Sequence, residues 1–234
     1  MLAHWRANIV RTFSIDYVLV PVPCFVTHKT LQPAWVLHFF RKPISRLRGS
    51  CLTKHFLYYI YFVNTQIRKL YTEINKIYFW TATIHDWLHL LEPEENKKVI
   101  ISSLKKLSDD KLISVYAFII MPNHIHLLWS QDGMNGKETP KGSLLKYTAH
   151  IFLRYLKTIG KSKLYEVAAL NKSHEIWQRD SLGIEIFDIE IAKQKLNYIH
   201  FNPVSGKWQL SKNDLDYYYS SARFYETGID EFGF

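Results

Sequence analysis

The sequence predicts an α+β fold, and three observations carry that prediction. Residues 76–85 (KIYFWTATIH) are dense in aromatic and β-branched side chains, as strands prefer. Residues 112–120 and 124–130 are two more apolar runs, joined by the turn triplet Met121-Pro122-Asn123, which predicts an antiparallel hairpin. Residues 94–107, 142–159 and 189–202 place apolar residues at helical spacing.

Each element has its own signal. After the first strand comes a loop containing Pro93. A helix follows over 94–107, with Glu94 and Glu95 favouring its N-terminus and Lys105 and Lys106 its C-terminus. Its expected buried stripe is Val99, Ile100, Ser103, Leu104 and Leu107. Behind the hairpin, residues 131–140 form a loop with two glycines. The helix over 142–159 is expected to bury Leu145, Ala149, Phe152, Leu156 and Ile159 and to turn Lys146, His150, Arg154 and Lys157 outward. A short fourth strand is expected near 184–187, then a helix over 189–202. The order β-α-β-β-α-β with a closing helix is a split βαβ, ferredoxin-like arrangement built on an antiparallel sheet.

Composition bounds the rest. The chain has 234 residues, 47% hydrophobic and 22% charged, enough to bury a core. Cys24 and Cys51 supply neither a disulfide framework nor zinc spacing, which suits a reducing cytoplasm. No apolar run reaches the ~20 residues of a membrane helix. The net charge of +9 is uneven: residues 1–70 hold ten Lys/Arg against Asp16 alone, and residues 71–234 hold twenty of each sign. Two readings of 1–70 stand open. It is a basic arm for nucleic-acid phosphates, or it is sequence upstream of a true start near Leu70 or Ile74. A chain beginning at residue 71 that has lost folding or DNA binding would favour the first.

The chemistry concentrates in two segments. In 124–130 the strand period of two sends His124 and His126 to one face and Ile125 to the other. Two imidazoles on one face are half of a divalent-metal site, although alone they read more readily as a solvated strand face. In 195–204 (KLNYIHFNPV), Tyr198 and Asn202 lie four apart on one helix face. Pro203 cannot continue the helix and is expected to bias Asn202 out of the helical region. Asn202 is thus either a third metal ligand or a helix C-cap. His200, two past Tyr198, points elsewhere and is expected to be structural or DNA-facing.

Four segments taken together resemble the single-tyrosine HUH transposases, most closely the REP-associated tyrosine transposase branch. They are 121–128, Ile176-Trp177-Gln178-Arg179-Asp180, 198–204, and Tyr217 through Tyr225 with its Tyr-Ser-Ser-Ala core. They cover roughly residues 72–226 and place the domain at 71–234. The resemblance implies a metal-dependent DNA strand transferase. His124, His126 and Asn202 would hold magnesium or manganese. Tyr198 would attack a phosphodiester, leaving a 5′-phosphotyrosine and a free 3′-hydroxyl. A phenol suits the role because it ionises near pH ~10, well below an aliphatic hydroxyl. Single-stranded or hairpin DNA is the implied partner, with Lys141, Lys146, Arg154, Lys157 and Arg179 as backbone contacts and no nucleotide cofactor. The insertion-sequence relatives suggest a homodimer and the REP-associated branch a monomer. The alternatives are a domesticated HUH nickase, a non-catalytic repeat-DNA-binding protein, and a ferredoxin-like module binding metal or nucleic acid without catalysis.

Overall fold

A computed structural model describes residues 68–69, 72–179, 181–206 and 208–234. The expectations for the basic stretch 1–70 lie outside the described residues, apart from Arg68 and Lys69, as does Asp180. The chain folds as a mixed α+β domain around one five-stranded antiparallel sheet. Its strands are β1 (Arg68–Lys69), β2 (Ile77–Thr83), β3 (Ile113–Ile120), β4 (His124–Gln131) and β7 (Leu182–Glu185). The order across the sheet is β1-β7-β2-β4-β3. Without the two-residue β1, this is the strand order of a split βαβ sheet.

Register decides which residues meet. On β2, Thr81 stands opposite His126 and Thr83 opposite His124. On β3, Ile119 stands opposite His126. The sheet therefore has two distinct faces. Tyr78, Trp80 and Ala82 share one face with Ile125, Leu127 and Trp129, and all six are nearly inaccessible. Trp80 and Trp129 stack there with ring centroids 5.1 Å apart. Helices α1 (Glu94–Asp109) and α2 (Pro140–Thr158) join this core through Ile100, Leu104, Leu144, Phe152 and Leu156. The opposite face carries His124 and His126, and helix α3 (Ile189–Phe201) packs on it against β3 and β4.

Several boundaries and faces differ from expectation, each for a local reason. Helix α2 starts at Pro140 rather than Gly142. Thr139 caps it by accepting from the Gly142 N–H at 3.1 Å, and proline is preformed for the first helical turn. Its buried row is Leu144, Thr148, Phe152 and Leu156, and Ile159 is 43% exposed. The stripe shifts because Thr148 is fully buried and satisfied. Its hydroxyl donates to the Leu144 carbonyl (2.7 Å) and accepts from Trp177 Nε1 (3.0 Å), so a polar side chain sits inside at little cost. A small hairpin also precedes β7: β5 (Glu166–Ala169) and β6 (Lys172–His174).

The Tyr-Ser-Ser-Ala segment covers the open edge of β3. The Ile120 N–H donates to the Tyr219 carbonyl (3.0 Å) and the Ser221 N–H to the Phe118 carbonyl (3.0 Å). Tyr217 Oη donates to the Ile120 carbonyl at 2.7 Å. An edge strand covered in this way no longer offers a free row of backbone groups. The last helix, α4 (Ala222–Thr227), follows at once.

Candidate active site

The site starts from two adjacent same-face positions on β4. The His124 and His126 rings lie 4.7 Å apart and steeply inclined, and both are almost fully buried. Each ring is oriented through its Nδ1. For His126 the partner is Thr81 Oγ1 at 2.7 Å, supplied by the opposing position of β2. For His124 it is Asn123 Oδ1 at 2.6 Å. The Asn123 amide is itself fixed, because Nδ2 donates to the Trp87 carbonyl at 3.0 Å. An amide oxygen only accepts, so Nδ1 of His124 carries the proton and Nε2 the lone pair.

His126 Nε2 is buried with no hydrogen-bond partner. A buried polar atom left in that condition is unusual and calls for an explanation. Burial first, then the charges of His124 and Lys195, holds the His126 imidazolium well below its usual pH range. The ring is therefore neutral near pH 7, the form that ligates metals. A buried, neutral imidazole nitrogen with no hydrogen-bond partner among the described residues fits a divalent cation. Among the described residues no three His, Cys, Asp or Glu side chains gather as a metal-binding group, so a third protein ligand would have to be of another type.

Helix α3 brings the phenol. It is capped by Asp188, whose carboxylate accepts from the Glu190 N–H at 2.7 Å. Ile191, Ala192, Leu196 and Ile199 are its buried apolar residues. Tyr198 meets His126 edge-on with centroids 5.2 Å apart, and Phe79 at 5.8 Å. It is also 52% exposed, so the phenol touches the imidazole and still faces solvent. Phe79 stacks on His126 at 5.3 Å, leaving His126 flanked by two aromatic rings.

Asn202 corrects one expectation. Despite Pro203 it stays helical (φ −55°, ψ −46°) and leads into a 3-10 turn, Asn202–Val204. The turn is closed by Ser205, whose N–H and hydroxyl both donate to the Asn202 carbonyl. Tertiary packing overrides the bias that proline imposes. The helical spacing therefore runs unbroken from Tyr198 to Asn202. Asn202 is buried, and its amide makes no hydrogen bond among the described residues.

His200 is structural. Its Nε2 lies 3.0 Å from Ser221 Oγ, which also accepts from the Phe118 N–H at 3.0 Å. This clamps α3 to the covered edge of β3 and so fixes where Tyr198 stands. Burial depresses the His200 imidazolium from 6.5 to about 3. The unfolded chain therefore takes up this proton first. Stability is full above about pH 6.5 and falls as pH drops from there toward 3, by about 1.4 kcal/mol per pH unit. His126 is depressed in the same direction and adds to the loss. Urea melts from pH 7 to pH 5 should show this slope, and His200→Gln should reduce it. Equal stability at both pH values would contradict the assignment.

The basic residues divide. Arg179 stands at the site end of the sheet, because the Gln178 N–H donates to the carbonyl of Thr83, the partner of His124. Its guanidinium pairs with Glu175 at 3.6 Å and is largely exposed. Lys141, Lys146, Arg154 and Lys157 sit on α2, on the sheet face opposite the imidazoles, and the structure does not bring them to the site. Lys146 pairs with Glu138 at 2.6 Å, and burial lowers the Lys141 pKa.

No protein-family model matches this chain, and no curated protein matches it. Among solved structures, a REP-associated tyrosine transposase bound to a REP hairpin is similar. The TM-score is 0.49 at 17% identity, covering 73% of this chain and 90% of the other. No helix among the described residues is long and apolar enough to cross a membrane.

The sequence reading left several site residues without a role. Thr81 and Asn123 orient the two imidazoles, and Lys195 lies with its Nζ 5.3 Å over the Phe79 ring. Lys195 was detectable, being three residues before Tyr198 and so on its helix face. Thr81 was not, because its role depends on strand register.

Proposed function

We propose that this chain cleaves and rejoins single-stranded or hairpin DNA through a covalent tyrosine link, with a divalent metal held by His124, His126 and Asn202. The observation that carries the reading is the contact of a solvent-facing Tyr198 with the ring of His126, whose buried Nε2 has no hydrogen-bond partner among the described residues. When bound, magnesium or manganese supplies Lewis-acid polarisation of phosphate oxygens, a contribution of several kcal/mol.

The chain's own residues do the rest. Tyr198 Oη attacks phosphorus in line and gives up its proton to solvent. The bond from phosphorus to the 3′ oxygen breaks, and that oxygen takes a proton. The phosphotyrosine keeps the energy of the broken bond. A second 3′-hydroxyl can therefore attack it, restore the phosphodiester and release Tyr198 without a nucleotide cofactor. Lys195 adds positive charge where the phosphate arrives, and Arg179 can meet the DNA backbone beside it. Because Tyr198 reaches His126 within one chain, the reading needs no second copy. Lys141, Lys146, Arg154 and Lys157 have no part in the chemistry, and any contact they make with DNA is to a flank.

The test is an adduct assay. The protein is incubated with manganese and an end-labelled hairpin oligonucleotide carrying single-stranded extensions, then run on a denaturing gel. A band of protein joined to the 5′-phosphate product is expected. Folded protein that forms no adduct across a broad set of hairpins would remove the reading. A second measurement addresses the metal. Thr81→Val deletes the Nδ1 partner of His126 with little change of shape, and loss of such an orienting bond typically lowers metal affinity about 10–100-fold. Manganese titration by calorimetry should show this, and unchanged affinity would exclude His126 as a ligand oriented by Thr81.

A further inference from the structure

The rim of the site carries an indole that neither the core nor the chemistry explains. Trp87 is 55% exposed, and its ring contact among the described residues is with His124, edge-on at 6.1 Å. It is not loosely held. Asp86 (φ 49°) and Trp87 (φ 57°) are consecutive non-glycine residues in the left-handed region. Side chains disfavour that conformation, and it persists where surrounding structure imposes it. Here the Trp87 N–H donates to the Ile84 carbonyl at 3.0 Å, and its carbonyl accepts from Asn123 Nδ2 at 3.0 Å. Asn123 is also the residue that orients His124, so one amide fixes both the imidazole and the indole beside it. Trp208 lies on His124 as well, tilted at 5.7 Å.

We propose that Trp87 is a stacking platform for one unpaired base of single-stranded DNA, next to the phosphate held at the imidazoles. The proposal rests on the DNA reading above. A half-exposed indole in ring contact with one of the two imidazoles suits a nucleobase, since every base has a π-face and only an unpaired one can offer it. Asp86, the preceding residue, has its carboxylate 3.5 Å from His85 Nε2 and 77% exposed, a negative charge that disfavours backbone phosphate there. Trp87 would thereby make the site select single strand over duplex at one nucleotide. It is a positioning residue.

The test measures binding apart from chemistry. Anisotropy of a labelled hairpin oligonucleotide with a single-stranded extension is measured in chelator, so that no cleavage occurs. The extension carries one abasic site, moved position by position. Trp87→Ala should weaken binding to the intact strand about 5- to 150-fold, the ~1–3 kcal/mol of one base–aromatic stack. At one abasic position wild type should show the same loss, and Trp87→Ala no further loss. Trp87→Phe should retain most of the affinity, and Trp87→Leu should not. If Trp87→Ala fails to fold, the comparison of Phe with Leu decides. Equal binding by wild type and Trp87→Ala would overturn the proposal. So would a loss uniform over all abasic positions, tighter binding of the equivalent RNA, or no binding by wild type. Adduct formation is scored separately. A position-specific effect without any adduct sinks the transferase reading alone, and an adduct from protein whose binding is indifferent to Trp87 sinks the stacking alone.

Discussion

Tyr198→Phe is expected to abolish the protein–DNA adduct while leaving the fold intact. The substitution removes one oxygen. That hydroxyl makes no hydrogen bond among the described residues, and the ring contacts with His126 and Phe79 survive in phenylalanine. Thermal stability should therefore change by less than about 0.5 kcal/mol, as for surface substitutions away from networks. Adduct yield should fall by at least about three orders of magnitude, because deleting the nucleophile of a covalent mechanism leaves no second route to the same product. DNA affinity should stay within a few-fold of wild type. An adduct that persists in Tyr198→Phe would show that another group attacks.

His126→Ala should be nearly as severe by a different route. The substitution removes an imidazole nitrogen that is buried, neutral and without a hydrogen-bond partner among the described residues, and with it a ligand of the proposed metal site. Manganese binding should drop below detection in a titration, and adduct formation should lose its dependence on added metal together with most of its yield. Excess manganese should not restore it. The fold faces a cost, since the ring packs between Phe79 and Tyr198. His126→Asn is therefore the companion variant, retaining polarity and most of the volume. If either variant binds manganese as wild type does, the imidazole pair is not the metal site.

Much of this was legible along the chain. The strand period placed His124 and His126 on one face, and a helix ending near Asn202 carried Tyr198 to that face once the split βαβ order was granted. Both inferences rest on short-range periodicity, which a single sequence carries well. What was hidden depends on long-range register or on backbone conformation. Thr148 was absent from the expected buried stripe, because its burial depends on Trp177, nearly thirty positions on, supplying a donor. The basic face of α2 looked like a flank of the site, but the helix crosses the other side of the sheet. Trp87 gave no signal at all, since no propensity forecasts two successive left-handed residues outside glycine.

The bond between His200 and Ser221 ties the helix that carries Tyr198 to the Tyr-Ser-Ser-Ala segment. The carboxy-terminal stretch is thus no expendable tail. It acts as a latch on the seat of Tyr198, so a protease nick upstream of Tyr217 is expected to loosen that tyrosine.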